Sequence, residues 1–155
     1  MVHLSVGVPL QTWLGSTGNG KGAAAASQYG PDSRFVLADQ IGAGWWFHPH
    51  LRLQLTLQFN ETLSGTQPGG NALTLFGAIP WLVYTQGIFF GGLGAVLAPR
   101  SYGVGKFDAG IYPCAGVSIP VADGFSVGAA VQAPLMLDVR TAFSIAPAVF
   151  VAQRF

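Results

Sequence analysis

The stretch Leu51–Asn60, reading LRLQLTLQFN, decides the fold. Leu51, Leu53, Leu55, Leu57 and Phe59 occupy one set of alternate positions, and Arg52, Gln54, Thr56, Gln58 and Asn60 occupy the other. Side chains alternate between the two faces of a strand, whereas a helix would scatter those leucines around its circumference. The segment is a strand with one apolar and one polar face. What the apolar face meets depends on the rest of the chain.

Charged residues make up 8% of the 155 residues and hydrophobic residues 50%, against roughly 25% charged in an average soluble domain. Such a chain lacks the charge to cover a water-facing surface. It also lacks a run of about eighteen apolar residues, so it has no spanning helix. Two classes remain: a transmembrane β-barrel, built from alternating segments of about ten residues, and a soluble β-protein of unusually low charge. The net charge of +1 argues against a nucleic-acid partner. The single cysteine, Cys114, has no partner for an internal disulfide and reads as a small buried side chain. The opening MVHLSVGV has no basic region or long apolar core of the signal-peptide kind. The expectation is a mature exported chain, its signal peptide removed and an initiator methionine added.

Outward from residues 51–60, the same alternation recurs. Before it, HPH makes a short turn, and residues 34–48 place Phe35, Leu37, Ile41, Ala43, Trp45 and Phe47 opposite Val36, Ala38, Gln40, Gly42, Gly44 and Trp46. The first strand, residues 1–14, alternates Val2, Leu4, Val6, Val8 and Leu10 with His3, Ser5, Gly7, Pro9 and Gln11. Between them Gly15–Ser33 is a Gly-, Ala- and Ser-rich loop without periodicity. After residue 60, a second loop leads to residues 72–84, apolar on both faces, where Leu73, Leu75, Ile79, Trp81 and Val83 are expected outward. Further strands are expected over residues 88–98, 106–119, 125–137 and 141–155. The last alternates Phe143, Ile145, Pro147, Val149 and Val151 with Ser144, Ala146, Ala148, Phe150 and Ala152.

The expected fold is all-β: one domain over residues 1–155, an eight-stranded antiparallel up-and-down transmembrane β-barrel with long outer loops and short periplasmic turns. The charges support it. Of seven Lys and Arg and six Asp and Glu, only Asp39 falls on an expected lipid-facing row, where a cation at mid-membrane would cost about 2–4 kcal/mol. The aromatics form two expected girdles: Phe35, Phe59, Phe107 and Phe143 toward the loops, and Trp45, Phe47, Trp81, Phe89, Phe125 and Phe155 toward the turns. Against it stand Pro9, Pro80, Pro113, Pro134 and Pro147 inside expected strands, since proline cannot donate to a ladder and a closed barrel offers no edge.

The whole chain resembles the small eight-stranded bacterial outer-membrane barrels of the OmpA/OmpX type. The alternating strands, the order of long loops and short turns, and the ending VFVAQRF carry the resemblance. It implies that the final strand with its terminal Phe155 is read by the barrel-assembly machinery; Gln153 departs from the more typical hydrophobic residue.

Eight-stranded barrels are just wide enough for side chains to fill the interior. The inward rows hold Arg52, Gln54, Gln58, Gln40, Lys106 and Asp108, an expected polar network that plugs the barrel or lines a narrow passage. Phe90, Val96, Met136 and Phe150, with Phe76, form an apolar inner patch: packing, or a pocket for an acyl chain. His48 and His50 flank a proline in a turn and, with His3, read as solvated or interfacial residues rather than a metal site. No nucleophile, base and orienting acid gather at one interface, and GNGKG lacks the strand–helix context of a phosphate loop. The expectation is a non-enzymatic protein without metal or cofactor, anchored among membrane lipids in the bacterial outer membrane and displaying the first loop to an extracellular partner. The alternatives are a small porin-like channel or carrier for hydrophobic or small solutes, and a soluble ligand-binding barrel.

Overall fold

The computed structural model of the chain describes residues 2–15, 35–62, 74–99, 107–136 and 142–155. They form nine strands: β1 (Val2–Gly15), β2 (Phe35–His48), β3 (Leu51–Thr62), β4 (Thr74–Gln86), β5 (Phe89–Pro99), β6 (Phe107–Ala122), β7 (Phe125–Gln132), β8 (Leu135–Met136) and β9 (Ala142–Arg154). β7 and β8 both pair with β6 and β9, so they make one stave interrupted at Ala133 and Pro134. Each stave pairs antiparallel with its neighbours, and β1 pairs with β9. The result is a closed eight-stranded antiparallel barrel.

Three tight turns close one end, at residues 49–50, 87–88 and 123–124. Gly87 and Gly124 take positive φ there, a conformation that costs glycine little because it has no Cβ. The other connections lie outside the described residues. Val2 and Phe155 exchange backbone hydrogen bonds at 3.2 and 3.0 Å at the turn end.

The barrel is inside out relative to a soluble protein. Val2, Leu4 and Val6 of β1, Leu53, Leu55 and Leu57 of β3, and Ile145, Val149 and Val151 of β9 are all exposed. Meanwhile Gln40, Gln58, Gln132, Thr56 and Ser144 are buried. No leucine whose burial is described is buried. A continuous apolar belt far exceeds the few hundred Å² that a soluble monomer exposes, and it suits a hydrocarbon solvent. The barrel is transmembrane. Asp39, half-buried, keeps register on the outer row opposite Phe59, with no bulge beside it.

The prolines find their places in the ladders. The β1–β2 ladder skips Val8 and Pro9, running from Gly7↔Gln40 to Leu10↔Leu37. The β1–β9 ladder runs from Pro9↔Ala148 to Thr12↔Ile145, skipping Pro147. The β4–β5 ladder runs from Ala78↔Leu97 to Trp81↔Gly94, skipping Pro80. Between Ile111↔Leu135 and Cys114↔Gln132, both Pro113 and Pro134 are skipped. A proline lacks one donor, so beside Pro9, Pro80, Pro113 and Pro147 one ladder opens for two residues and closes again in the same register, whereas at Pro134 the ladders to both β6 and β9 open and then resume in register. Pro9, Pro80, Pro113 and Pro147 pair normally on their other side, with Ala148, Leu55, Leu93 and Val131.

β4 overturns the expected parity. Gln58 pairs with Gly77 but Phe59 pairs with Leu75, so β4 carries one extra residue there. Such a bulge switches faces, because side chains alternate with period two. Leu75 registers with the outer row, whereas Ile79, Trp81 and Val83 are buried inside and Leu82 and Tyr84 face out. Trp81 is therefore not a girdle residue. Its neighbour across β5 is Gly94, where a Cβ would lie 2.8 Å from Ile79 and 3.0 Å from the Trp81 ring. That absent side chain makes the room Trp81 fills.

Candidate functional site: the lumen

With β4 turned inward, the lumen acquires an apolar cluster of Ile79, Trp81, Val83, Val96 and Tyr112, against which Phe90 and Cys114 pack. Trp81 meets Tyr112 edge-on at 5.2 Å between ring centroids. Beside this cluster lies a layer of amides. Gln40 and Gln132 exchange hydrogen bonds, Nε2 of each donating to Oε1 of the other at 3.0 and 2.9 Å. Gln40 Nε2 also donates to Gln58 Oε1 at 2.8 Å, and the Tyr112 hydroxyl donates to the same oxygen at 2.9 Å. These residues come from β2, β3, β6 and β7, so the layer ties widely separated staves together across the lumen. All four are buried. Hydrogen bonding is what makes such burial tolerable.

The residues singled out in the sequence fall into three groups. Gln40 and Gln58 belong to the amide layer. Gln54 sits nearer the turns, donating to Thr56 Oγ1 at 3.0 Å and Ser5 Oγ at 3.5 Å. Arg52 is apart from both: its guanidinium carbon lies 5.1 Å from the Trp46 ring centroid. Lys106 lies outside the described residues, and of Asp108, Phe35, Phe107, Phe76 and Met136 only the backbone is described. Gln132 and Tyr112 complete the layer and were not singled out. Both stand on inward rows, and a count of every polar side chain on those rows would have found them.

Turn-ward of the amides, four inward residues line up across neighbouring strands. Arg154 registers with His3, His3 with Gly44, and Trp46 with Arg52. The Arg154 guanidinium carbon is 4.8 Å from the Trp46 ring centroid, so both arginines stack on one indole. His3 thus faces the lumen and is buried, whereas His48 ends β2 and His50 lies in the turn that follows, with ring centroids 5.9 Å apart. Among the described residues no three His, Cys, Asp or Glu gather to hold a metal.

Two cavities adjoin. One of about 70 Å³ touches Gln40, Gln132, Thr56 and Trp81. A second of about 320 Å³ lies at the turn end, lined by Trp46, Arg52, Arg154, Ser118, Ser126 and Pro120 among others. His3, Arg52, Phe90 and Phe150 border both.

On the exterior, Trp45, Phe47, Phe89, Phe125 and Phe155 are exposed near the turns, and Tyr84 takes the place on β4 that Trp81 does not. Phe59 and Phe143 are half-buried on the outer row toward the loops.

No family model and no curated protein matches this chain. Among solved structures, it is similar to outer membrane protein AlkL, determined by solid-state NMR in DMPC lipid bilayers, at 9% identity over 99% of this chain and 90% of that one, with a TM-score of 0.47. It is also similar to a chain from the de novo design of transmembrane β-barrels, at 11% identity over 96% of this chain and 94% of that one, with a TM-score of 0.43.

Proposed function

We propose that the chain is a non-enzymatic bacterial outer-membrane barrel that anchors the segments joining its strands on the side away from the tight turns. The chief of these is Gly15–Ser33, held outside the cell for an extracellular partner. The observation that carries this reading is the buried layer of Gln40, Gln58, Gln132 and Tyr112, joined by hydrogen bonds of 2.8–3.0 Å. Side chains bonded to one another across a lumen of this width leave no continuous aqueous path past them. A channel or carrier would have to break several buried hydrogen bonds at every passage. The tight turns then face the periplasm, and the final strand is a substrate of the assembly machinery.

Planar-bilayer recordings of the folded protein should show no stable conductance, and reproducible single-channel steps would sink the proposal. An epitope inserted between Gly15 and Ser33 should be labelled on intact cells. Labelling only after the outer membrane is permeabilised would reverse the orientation.

A further inference from the structure

We infer that the turn-end cavity is a binding site for an amphiphilic anion, its carboxylate or phosphate head held by Arg52 and Arg154 and its apolar part lying against Phe90 and Phe150. This goes beyond the anchoring role and does not depend on it.

The charge is the first ground. β3 and β9 bring the two guanidiniums to one indole, 5.1 and 4.8 Å from the Trp46 ring centroid. No Asp or Glu among the described residues forms an ion pair with either. Stacking on an aromatic face attracts a cation but does not neutralise it, and a partly enclosed pair of like charges calls for a counter-charge. The position is built rather than incidental: a Cβ at Gly44 would stand 3.1 Å from Arg52 Cδ, so glycine there leaves space for the arginine stem.

Unanswered donors are the second ground. Arg52 Nε, Trp46 Nε1 and Thr85 Oγ1 are buried without a hydrogen-bond partner, and all three residues line this cavity. An indole N–H and a guanidinium N–H can only donate, so the missing groups are acceptors. Carboxylate and phosphate oxygens are acceptors that also carry the missing charge.

The third ground is shape and wall. The cavity, about 320 Å³, is at the small end of the range for small-molecule sites. Its deep side is apolar: Phe90 and Phe150 meet edge-to-face at 5.6 Å, with the amide layer behind them. A head at the guanidiniums therefore directs an attached chain onto aromatic rings. Such an anion can arrive free or as the headgroup of an anionic lipid at the turn-side interface.

The test follows the Trp46 indole N–H resonance, assigned by its loss in Trp46→Phe, in barrels folded into zwitterionic phosphatidylcholine nanodiscs. Octanoate supplies charge and chain, octanol the chain alone, and inorganic phosphate the charge alone. Octanoate should shift the resonance saturably, with the other two at least about tenfold weaker. Arg52→Gln and Arg154→Gln should each weaken octanoate by at least about tenfold, the scale of one charge-assisted hydrogen bond. Nanodiscs containing phosphatidylglycerol separate the sources: a resonance already shifted, and no longer responsive to octanoate, identifies the lipid headgroup as occupant. The inference is overturned if neither octanoate nor anionic lipid moves the resonance. It is equally overturned if octanol or phosphate matches octanoate, or if the arginine substitutions change nothing. Heat-modifiable gel mobility confirms folding. Arg154→Gln, at the exposed end of β9, decides the matter if Arg52→Gln does not fold.

Discussion

The reciprocal amide pair of Gln40 and Gln132 makes a quantitative prediction. In Gln132→Leu, Gln40 keeps its bond to Gln58 but loses the partner of its Oε1 and of one Nε2 proton. A buried polar group left dry costs about 1–3 kcal/mol. Two such groups would cost several kcal/mol, but Gln40 also borders the cavity of about 70 Å³, which is roomy enough for water to satisfy part of the loss. The expected destabilisation is therefore about 2 kcal/mol. Gln40→Leu orphans the Gln132 amide in the same way and costs about as much, because Gln58 Oε1 retains the Tyr112 hydroxyl. In the double variant neither amide remains to be orphaned. Its cost should fall well short of the sum, with a coupling of about 2 kcal/mol. Urea unfolding from zwitterionic vesicles, read by the heat-modifiable band, measures all four corners of the cycle. Losses that add to within about 0.5 kcal/mol would show that the two amides are independent, and the layer would then be no plug.

Two further predictions separate inside from outside. Among variants with a single tryptophan, lipids brominated on their chains should quench Trp45 strongly and Trp81 weakly, since Trp45 is 57% exposed and Trp81 5%; equal quenching would return Trp81 to the outer row. Leu55→Arg, on the exposed row of β3, should lower stability in vesicles by about 2–4 kcal/mol, whereas a neutral or stabilising effect would mean that this face meets water.

How far the sequence speaks depends on whether a strand's two faces differ. In residues 51–60 they differ completely, and β3 stands as the alternation requires, with Leu53, Leu55 and Leu57 exposed and Thr56 and Gln58 buried. In β4 both faces are apolar, so no contrast marks which row is inside. Nor does anything local announce the extra residue before Gly77. Its signal lies on other strands: the polar row of β3 fixes which residues of β4 face inward, and Gly94 on β5 leaves space for a large ring. The lumen is harder to read for a related reason. Alternation says that Gln40, Gln58, Tyr112 and Gln132 point inward, but which of them meet depends on relative strand height, and a bulge can alter that by a residue. His3 could be assigned to an inward row. That it would register with Arg154, near the ring shared with Arg52, required the β1–β9 and β2–β3 pairings together.

The prolines show how a closed barrel absorbs residues that an open sheet would send to its edge. One proline removes one donor, and that donor would serve one neighbour only. For Pro9, Pro80, Pro113 and Pro147 the remedy is a two-residue opening in a single ladder, with pairing on the other side kept; at Pro134 both ladders open, and the Ser144 N–H donates to the Pro134 carbonyl at 2.9 Å. Because register survives each opening, no side chain changes face: Pro9 and Pro134 stay buried inside while Pro80 and Pro147 stay outside. The bulge in β4 does the reverse, keeping the chain paired but reversing parity. Openings therefore cost hydrogen bonds without altering which residues face the lumen, whereas one inserted residue reverses the parity along β4. On the turn side of the bulge, pairing with Gln54 and Gly94 holds Trp81 in the lumen beside Tyr112, and the extra residue lets Leu75 return to the outer row opposite Phe59.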